Sequence, residues 1–111
     1  MVGQNQLLLS GQLVELEPRR LTPAGVPVVA GILRHESRQL ESGLDRDVLC
    51  EVPVVAVGDM AKMLEIVKPG TKIVVNGFVA ARNKRSRTLV LHIQTLSILE
   101  GNENGFQTET S

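Results

Sequence analysis

The sequence contains no tryptophan and no tyrosine, and it has only two phenylalanines, Phe78 and Phe106. A core must therefore be built from aliphatic side chains, and the abundant valine and isoleucine favour β-strands. No apolar run approaches the roughly 18 residues of a membrane-spanning helix. The N-terminal residues 1–6 lack the basic and apolar segments of a secretion signal. These absences predict a soluble, cytoplasmic protein without a membrane partner.

Reactive and metal-binding residues are also scarce. The single cysteine, Cys50, excludes an internal disulfide, and we expect it to be a small buried apolar residue. The two histidines, His35 and His92, have no partners at the spacing of a zinc site or a catalytic group, so His35 is expected to be structural or exposed. No glycine-rich phosphate loop precedes a helix. The sequence predicts no enzyme, no metal site and no cofactor.

Charge is balanced overall but unevenly distributed. The chain has 12 basic and 12 acidic residues, which argues against a generally basic nucleic-acid-binding protein. Residues 100–111 contain Glu100, Glu103 and Glu109 and no Lys or Arg, so residues 1–99 carry a net charge of +3. We predict one domain over residues 1–99 and a flexible acidic tail over residues 100–111, where Phe106 is part of the flexible end or docks on a partner.

Alternating apolar and polar residues predict five strands. They cover residues 6–16, 26–37, 47–57, 72–81 and 88–93. Gly11 predicts a bend or bulge that lets the first strand serve two sheets of a small barrel. Pro53 predicts an edge position or a bulge, since proline cannot donate to a strand ladder.

The connections between the strands differ in character. Residues 17–25 predict a loop, and residues 38–47 are polar with a turn signal at Ser42-Gly43. Residues 58–67 predict one or two helical turns, with Asp59 as the N-cap, between the third and fourth strands. Five strands with a short helix at that place fit an OB-type barrel.

The most concentrated charge lies at residues 82–87, which hold four of the 12 basic residues. The flanking strands place this segment at the tip of a β-hairpin, where clustered cations suit a polyanionic ligand. A smaller cationic pair, Arg19 and Arg20, lies on the loop before the second strand. The alternative interpretation of each group is a set of solvated charges at a turn.

The last two strands are apolar on both faces. In a small barrel one apolar face per strand is sufficient, so a second apolar face implies a covered outer surface. The simplest cover is a second copy of the chain, which predicts a homodimer.

Six short runs, taken together, carry a resemblance to a known family. They are residues 9–11, 22–27, 33–37, 50–53, 76–79 and 89–92. Their order and spacing across residues 6–99 resemble the primosomal replication protein N (PriB) family. The resemblance implies an all-β, five-stranded OB-fold Greek-key barrel that forms a homodimer. It also implies single-stranded DNA binding in replication restart, with the primosomal helicase PriA and the loader partner DnaT as partners.

The basic segments and the family's DNA-contacting positions together give eight candidate site residues. These are Arg19, Arg20, Arg34, Leu49, Arg82, Lys84, Arg85 and Arg87. Leu49 stands where family members can present a tryptophan, and Glu36 stands at a basic family position, with Arg34 two residues earlier as its substitute. Loss of the aromatic removes about 1–3 kcal/mol of stacking per base. Binding should therefore depend on phosphates. Five phosphate contacts predict a salt slope near −3.5, and the cations expected to make them are Arg20, Arg34, Lys84, Arg85 and Arg87.

Two other functions compete with this interpretation. One is a general single-stranded DNA-binding protein, although its usual acidic tail ends in a hydrophobic tip and this sequence ends in Thr110-Ser111. The other is a protein-interaction adaptor with weak DNA binding, which the missing aromatic favours. Affinity for a short single strand, measured against a duplex at two salt concentrations, separates the alternatives.

Overall fold

The computed structural model describes residues 2–99, and the predicted acidic tail with Phe106 lies outside the described residues. Its elements are β1 (Leu7–Leu16), β2 (Arg20–Leu21), β3 (Pro27–Glu41), β4 (Leu44–Val57), α1 (Asp59–Glu65), β5 (Lys72–Ala81) and β6 (Leu89–Ile98). The five predicted strands are present, and the two-residue strand β2 is an addition within the loop that precedes β3.

The strands close into a barrel. The sheet order is β1-β5-β6-β4-β3, and β1 also pairs with β3, which joins the two ends of the sheet. The β4–β6 pairing is parallel, whereas the other pairings of the barrel are antiparallel. The predicted five-stranded OB-type barrel is confirmed, with a short helix between β4 and β5.

Strand β1 serves two neighbours, as its sequence predicts. Its first half pairs with β5 and its second half with β3, and both pairings include Gln12. Gly11 lies at this crossing, where a Cβ atom would overlap the carbonyl oxygen of Arg34. The register shift itself lies between Leu13 and Glu15, beyond the glycine. Gly11 is therefore needed for the close approach of β1 to β3, and the bulge follows it.

The core is aliphatic throughout. The largest fully buried side chains are Leu13, Leu33, Leu64, Ile73, Leu91, Val29, Val54 and Val75. Helix α1 contributes Ala61 and Leu64 to this cluster. The predicted Asp59 cap is wrong, because the helix N-cap is Gly58 at φ 71° and no side chain caps it. Asp59 lies instead in the first turn, where its carboxylate suits the helix dipole.

Strands β3 and β4 form a hairpin much longer than the sequence predicts. The turn at Ser42 and Gly43 is confirmed, with φ values of 54° and 80°, as a two-residue hairpin turn of type I′ requires. Pairing continues without a register shift from Val28 opposite Val57 to Glu41 opposite Leu44. The polar residues on either side of this turn, 38–41 and 44–47, are therefore strand rather than loop. We refer to residues 35–51 of this hairpin as the arm.

The burial predicted for Cys50 is wrong. Its side chain is exposed, opposite His35 on the arm. Two positions further along β4, Val52 is half-buried and packs against the core. Cys50 therefore lies just beyond the point where the hairpin leaves the core.

Candidate nucleic-acid interface

A groove of about 250 Å³ lies across the outer surface of β3, β4 and β6. Its floor includes half-buried side chains that point away from the core, and its rim is formed by the loop after β1 and the end of β5. The floor residues are Ala30, Ile32, Pro53, Val55, Val90 and His92. The rim residues are Glu17, Arg20, Ala81 and Arg82. The rim therefore carries two cations and one carboxylate, Glu17, above a largely apolar floor. Such a groove can hold base faces below and phosphates at the two arginines.

The alternation of side chains along the strands determines which residues form this floor. Leu33 and Val54 are buried in the barrel, so their neighbours Ile32 and Val55 must face outward. Small and branched side chains at the outward positions leave a shallow apolar surface instead of a charged one. The floor is therefore built by the same strand pattern that builds the core.

Two candidate residues meet at this groove. Arg20 is held by the pairing of β2 with β3, in which it lies opposite Val28. Arg82 follows β5 directly, and its main-chain N–H donates to the Thr88 carbonyl oxygen at 2.9 Å. Neither guanidinium forms an ion pair with another residue in the range 2–99. Both charges are therefore available to an anionic ligand.

The segment 82–87, which we call the basic loop, extends from the groove rim. The Ser86 N–H donates to the Asn83 carbonyl oxygen at 3.1 Å, and the Arg85 N–H donates to Asn83 Oδ1 at 3.0 Å. These bonds fold the loop through main-chain donors and leave its basic side chains exposed. The exposed cations beyond Arg82 are Lys84, Arg85 and Arg87. The loop thus continues the cationic rim away from the barrel.

The structure separates Arg19 from its neighbour Arg20. The Arg19 guanidinium lies 2.6 Å from Glu65 Oε1 of helix α1, and both side chains are about 40% exposed (40% and 38%). The ion pair offsets the charge of Arg19, and this residue does not line the groove. Arg19 is therefore placed to attach the loop to the helix.

Arg34 lies in a different cleft. It lies opposite Glu51 in the β3–β4 register, and it lines a second depression with Glu36 and Lys72. The depression also includes Ser10, Gly11 and Gln12 of β1. Arg34 is thus bordered by two carboxylates, and the structure does not bring it together with Arg20 and Arg82.

Leu49 lies on the arm and outside the groove. It is 59% exposed and opposite Glu36. The alternation of β4 places Asp47 and Glu51 on the same face as Leu49. The position at which the family resemblance implies base stacking is therefore surrounded by carboxylates.

Sequence reasoning missed the aromatic pair beside the groove. Phe78 and His92 are directly opposite each other on β5 and β6, and their rings stack at 4.9 Å with an interplanar angle of 5°. His92 also lines the groove. The sequence signal that could have found this pair is that Phe78 and His92 both fall at outward positions of the predicted strands. It was obscured because the neighbouring outward residues are apolar as well.

Of the two alternatives that the sequence predicts for His35, structural or exposed, the hydrogen bonds of its ring favour the structural one. Its Nδ1 lies 2.7 Å from the Ser10 carbonyl oxygen, and its Nε2 lies 2.7 Å from Ser37 Oγ. Both ring nitrogens are therefore engaged. In the part of the chain that the structure describes, no three acidic, histidine or cysteine side chains are grouped to hold a metal ion. No helix of the described residues is long and apolar enough to cross a membrane.

Comparison with known proteins gives the family. A sequence model described as "another single-strand binding protein family" matches residues 5–95. The replication restart protein PriB of Photorhabdus laumondii subsp. laumondii is 32% identical over 102 residues, which are 89% of this chain and 97% of the relative. This chain belongs to the PriB group of single-strand-binding proteins. The predicted family is thereby confirmed.

Solved structures agree with this family and fold. The PriB structure from Ralstonia solanacearum has a TM-score of 0.81 and 35% identity, and the alignment covers 88% of this chain and all of that one (100%). The single-stranded DNA-binding protein of Thermus aquaticus has a TM-score of 0.71 and 26% identity. That alignment covers 90% of this chain but 52% of the Thermus chain, so the PriB relatives match this chain in length whereas the Thermus protein is longer.

Proposed function

We propose that this PriB-family protein binds single-stranded DNA as a non-catalytic accessory factor of the replication-restart primosome. The observation that carries the proposal is the groove. An apolar floor lies under two cations that form no ion pair within residues 2–99, Arg20 and Arg82, and the basic loop extends this rim. The family match and the names of the relatives support the same function.

Phosphate contacts supply most of the affinity in this mechanism. Five cations form a continuous group on the groove rim and the loop. They are Arg20, Arg82, Lys84, Arg85 and Arg87. Arg82 takes the place of Arg34 in this group, because Arg34 lies in the second cleft beside two carboxylates. Bases would rest on the floor, where Ile32 and Val55 offer apolar contact and the His92 ring is the nearest aromatic group.

A homodimer is part of the proposal. The outer face of the sheet formed by β1, β5 and β6 carries Leu8, Val74 and Phe78, of which Leu8 is strongly exposed. An apolar outer face of this kind is suited to a second copy of the chain. We propose further that the bound complex supports the helicase PriA on DNA in the cytoplasm and recruits DnaT.

A titration of labelled oligo-dT and of a duplex, each followed by fluorescence anisotropy over a range of salt, tests the binding function. We expect tighter binding to the single strand and a log–log salt slope near −3.5, since each of five neutralised phosphates contributes about −0.7. A flat salt dependence contradicts the phosphate mechanism. Absence of binding to either DNA, with capture of purified PriA retained, would favour the protein-interaction adaptor. Sedimentation equilibrium tests the dimer separately.

A further inference from the structure

The arm is a two-stranded ribbon with two open edges. Pairing of β3 with β1 ends at Arg34, and pairing of β4 with β6 begins at Val54. Among the described residues, 35–41 and 44–50 pair only with each other, and residues 51–53 pair with β3 alone. Open strand edges present unsatisfied main-chain groups and can accept a further strand.

The arm is acidic, in contrast to the basic loop. Residues 36–51 contain five acidic and two basic residues, a net charge of −3. Both arginines are occupied within the hairpin, since Arg38 lies 3.0 Å from Asp47 Oδ1 and Arg46 lies 2.8 Å from Glu41 Oε1. The remaining carboxylates make no ion pair with another residue of 2–99. They are Glu36, Asp45 and Glu51.

The edge of β4 combines this charge with available main-chain groups. The type I′ turn closes with a hydrogen bond between the flanking residues Glu41 and Leu44, and hydrogen-bonded pairs then alternate along the ladder. The residues of β4 between those pairs direct their N–H and C=O groups to the open edge. They are Asp45, Asp47, Leu49 and Glu51, and their side chains share one face. Pro53 ends this edge because it has no N–H to offer.

We propose that this edge of β4 binds an extended, cationic segment of a partner protein as an added strand. Lysine or arginine at alternate positions of the segment would lie beside Asp45, Asp47 and Glu51. One apolar residue would lie beside Leu49, which is 59% exposed. Opposite charges and apolar pairs on neighbouring strands both stabilise such an addition. The backbone bonds supply affinity, and the acid–acid–leucine–acid order supplies selectivity.

Other occupants fit this edge less well. A DNA strand would place its phosphates beside Asp45 and Glu51, two carboxylates without an ion pair within residues 2–99, which is repulsive. A second copy paired through the same edge would place Asp45, Asp47 and Glu51 against an identical acidic row. A cationic peptide strand satisfies both the main-chain groups and the charges.

The test uses the full chain, labelled with ¹⁵N, and synthetic seven-residue peptides. In both peptides lysine and threonine alternate, with lysine at positions 1, 3, 5 and 7. Valine replaces the lysine at position 5 in one peptide and at position 3 in the other. Valine therefore lies beside Leu49 when the first peptide pairs parallel to β4 or the second pairs antiparallel. The control peptide has the same composition with its lysines consecutive. We expect slowed amide exchange at Asp45, Asp47, Leu49 and Glu51, and affinity about tenfold above that of the control.

Charge-reversal variants show where the peptide binds. Asp45→Lys with Glu51→Lys should weaken binding of the alternating peptide at least about tenfold. The matched control, Glu103→Lys with Glu109→Lys, makes the same change of charge outside the arm and should leave binding within twofold. Unchanged barrel resonances in the ¹⁵N spectrum establish that each variant is folded.

Three results would overturn the proposal. Equal binding of the two lysine arrangements would reduce the effect to general electrostatics. Protection of the same four amides by oligo-dT would assign the edge to nucleic acid. Protection that rises with protein concentration, without peptide, would assign it to a second copy. The peptide measurements contain no DNA, so their outcome does not depend on whether the protein binds single-stranded DNA.

Discussion

Two hairpins leave one barrel with opposite charges. The β5–β6 hairpin ends in the basic loop, where four basic residues stand without an acidic one among residues 82–87. The β3–β4 hairpin continues into the arm, where residues 36–51 have a net charge of −3. Because both are exposed and both are built on the same core, the difference lies in the side chains alone. The barrel provides two projections, and their charges select different ligands.

Counting cations alone would not have separated these hairpins, because the arm also contains arginines. In the arm, Arg38 and Arg46 are neutralised by carboxylates of the same hairpin. In the basic loop, Asn83 and Ser86 fold the backbone with neutral groups, so no acid is needed nearby. Available charge, rather than the number of arginines, distinguishes a nucleic-acid surface from a stiffened ribbon.

The largest contrast should be in stability between the barrel and the arm. Leu33 is completely buried, whereas Leu40, further along the same strand, is 72% exposed. Leu33→Ala should lower the free energy of unfolding by about 2–5 kcal/mol, because it leaves a cavity in the core. Leu40→Ala should change it by about 0.5 kcal/mol or less. Urea unfolding measures both, and a comparable loss in Leu40→Ala would mean that the arm is covered in solution.

The next contrast is in DNA binding. Lys84→Ala with Arg85→Ala should weaken oligo-dT binding about 25-fold at about 0.1 M salt, since each lost phosphate contact costs about fivefold relative to 1 M salt. Arg38→Ala with Arg46→Ala removes the same charge from the arm and should change affinity less than twofold. Fluorescence anisotropy measures both variants. Equal losses would indicate that net charge, rather than the position of the cations, controls binding.

The sequence predicts the barrel better than it predicts the arm. Strands of the barrel have one face in the core, so their apolar residues alternate, and the five of them were found. Residues 38–47 have water on both faces, which removes the alternation and makes paired strands look like a polar loop. The burial predicted for Cys50 failed for the same reason, since it assumed that β4 stays against the core.

Likewise, the sequence predicts the basic loop of the site but not the groove floor. The basic loop was visible as a charge cluster, because unpaired cations at a turn need no tertiary information. The groove floor was not visible, because outward residues such as Ile32 and Val55 have the composition of a core. The ion pair of Arg19 with Glu65 joins residues far apart in sequence, and only the fold brings them together.

That ion pair gives a smaller contrast between neighbouring arginines. Arg20→Ala should weaken oligo-dT binding about fivefold at about 0.1 M salt, through the loss of one phosphate contact. Arg19→Ala should change it less than twofold, because Glu65 already offsets that charge and the side chain lies away from the groove. Anisotropy titrations of the two variants decide the point. Equal losses would place both arginines on DNA and require the ion pair to open on binding.

The smallest expected effect comes from restoring an aromatic residue on the arm. A tryptophan that reaches a base should gain about 1–3 kcal/mol, or roughly 5- to 150-fold in affinity. Leu49→Trp should nevertheless change oligo-dT affinity less than twofold, because the neighbouring carboxylates Glu36 and Glu51 repel the phosphates. The chain contains no other tryptophan, so fluorescence of the new residue reports directly on contact with DNA.

A second variant shows whether the carboxylates beside Leu49 keep DNA away from the arm. Leu49→Trp combined with Glu36→Gln and Glu51→Gln removes the repulsion, retains the ion pair of Arg38 with Asp47, and keeps the aromatic group in place. If oligo-dT quenches the tryptophan fluorescence and binds more tightly only in this triple variant, negative charge keeps DNA off the arm. If oligo-dT already quenches the tryptophan of Leu49→Trp, the DNA strand crosses the acidic face of the arm. The two hairpins would then share one ligand.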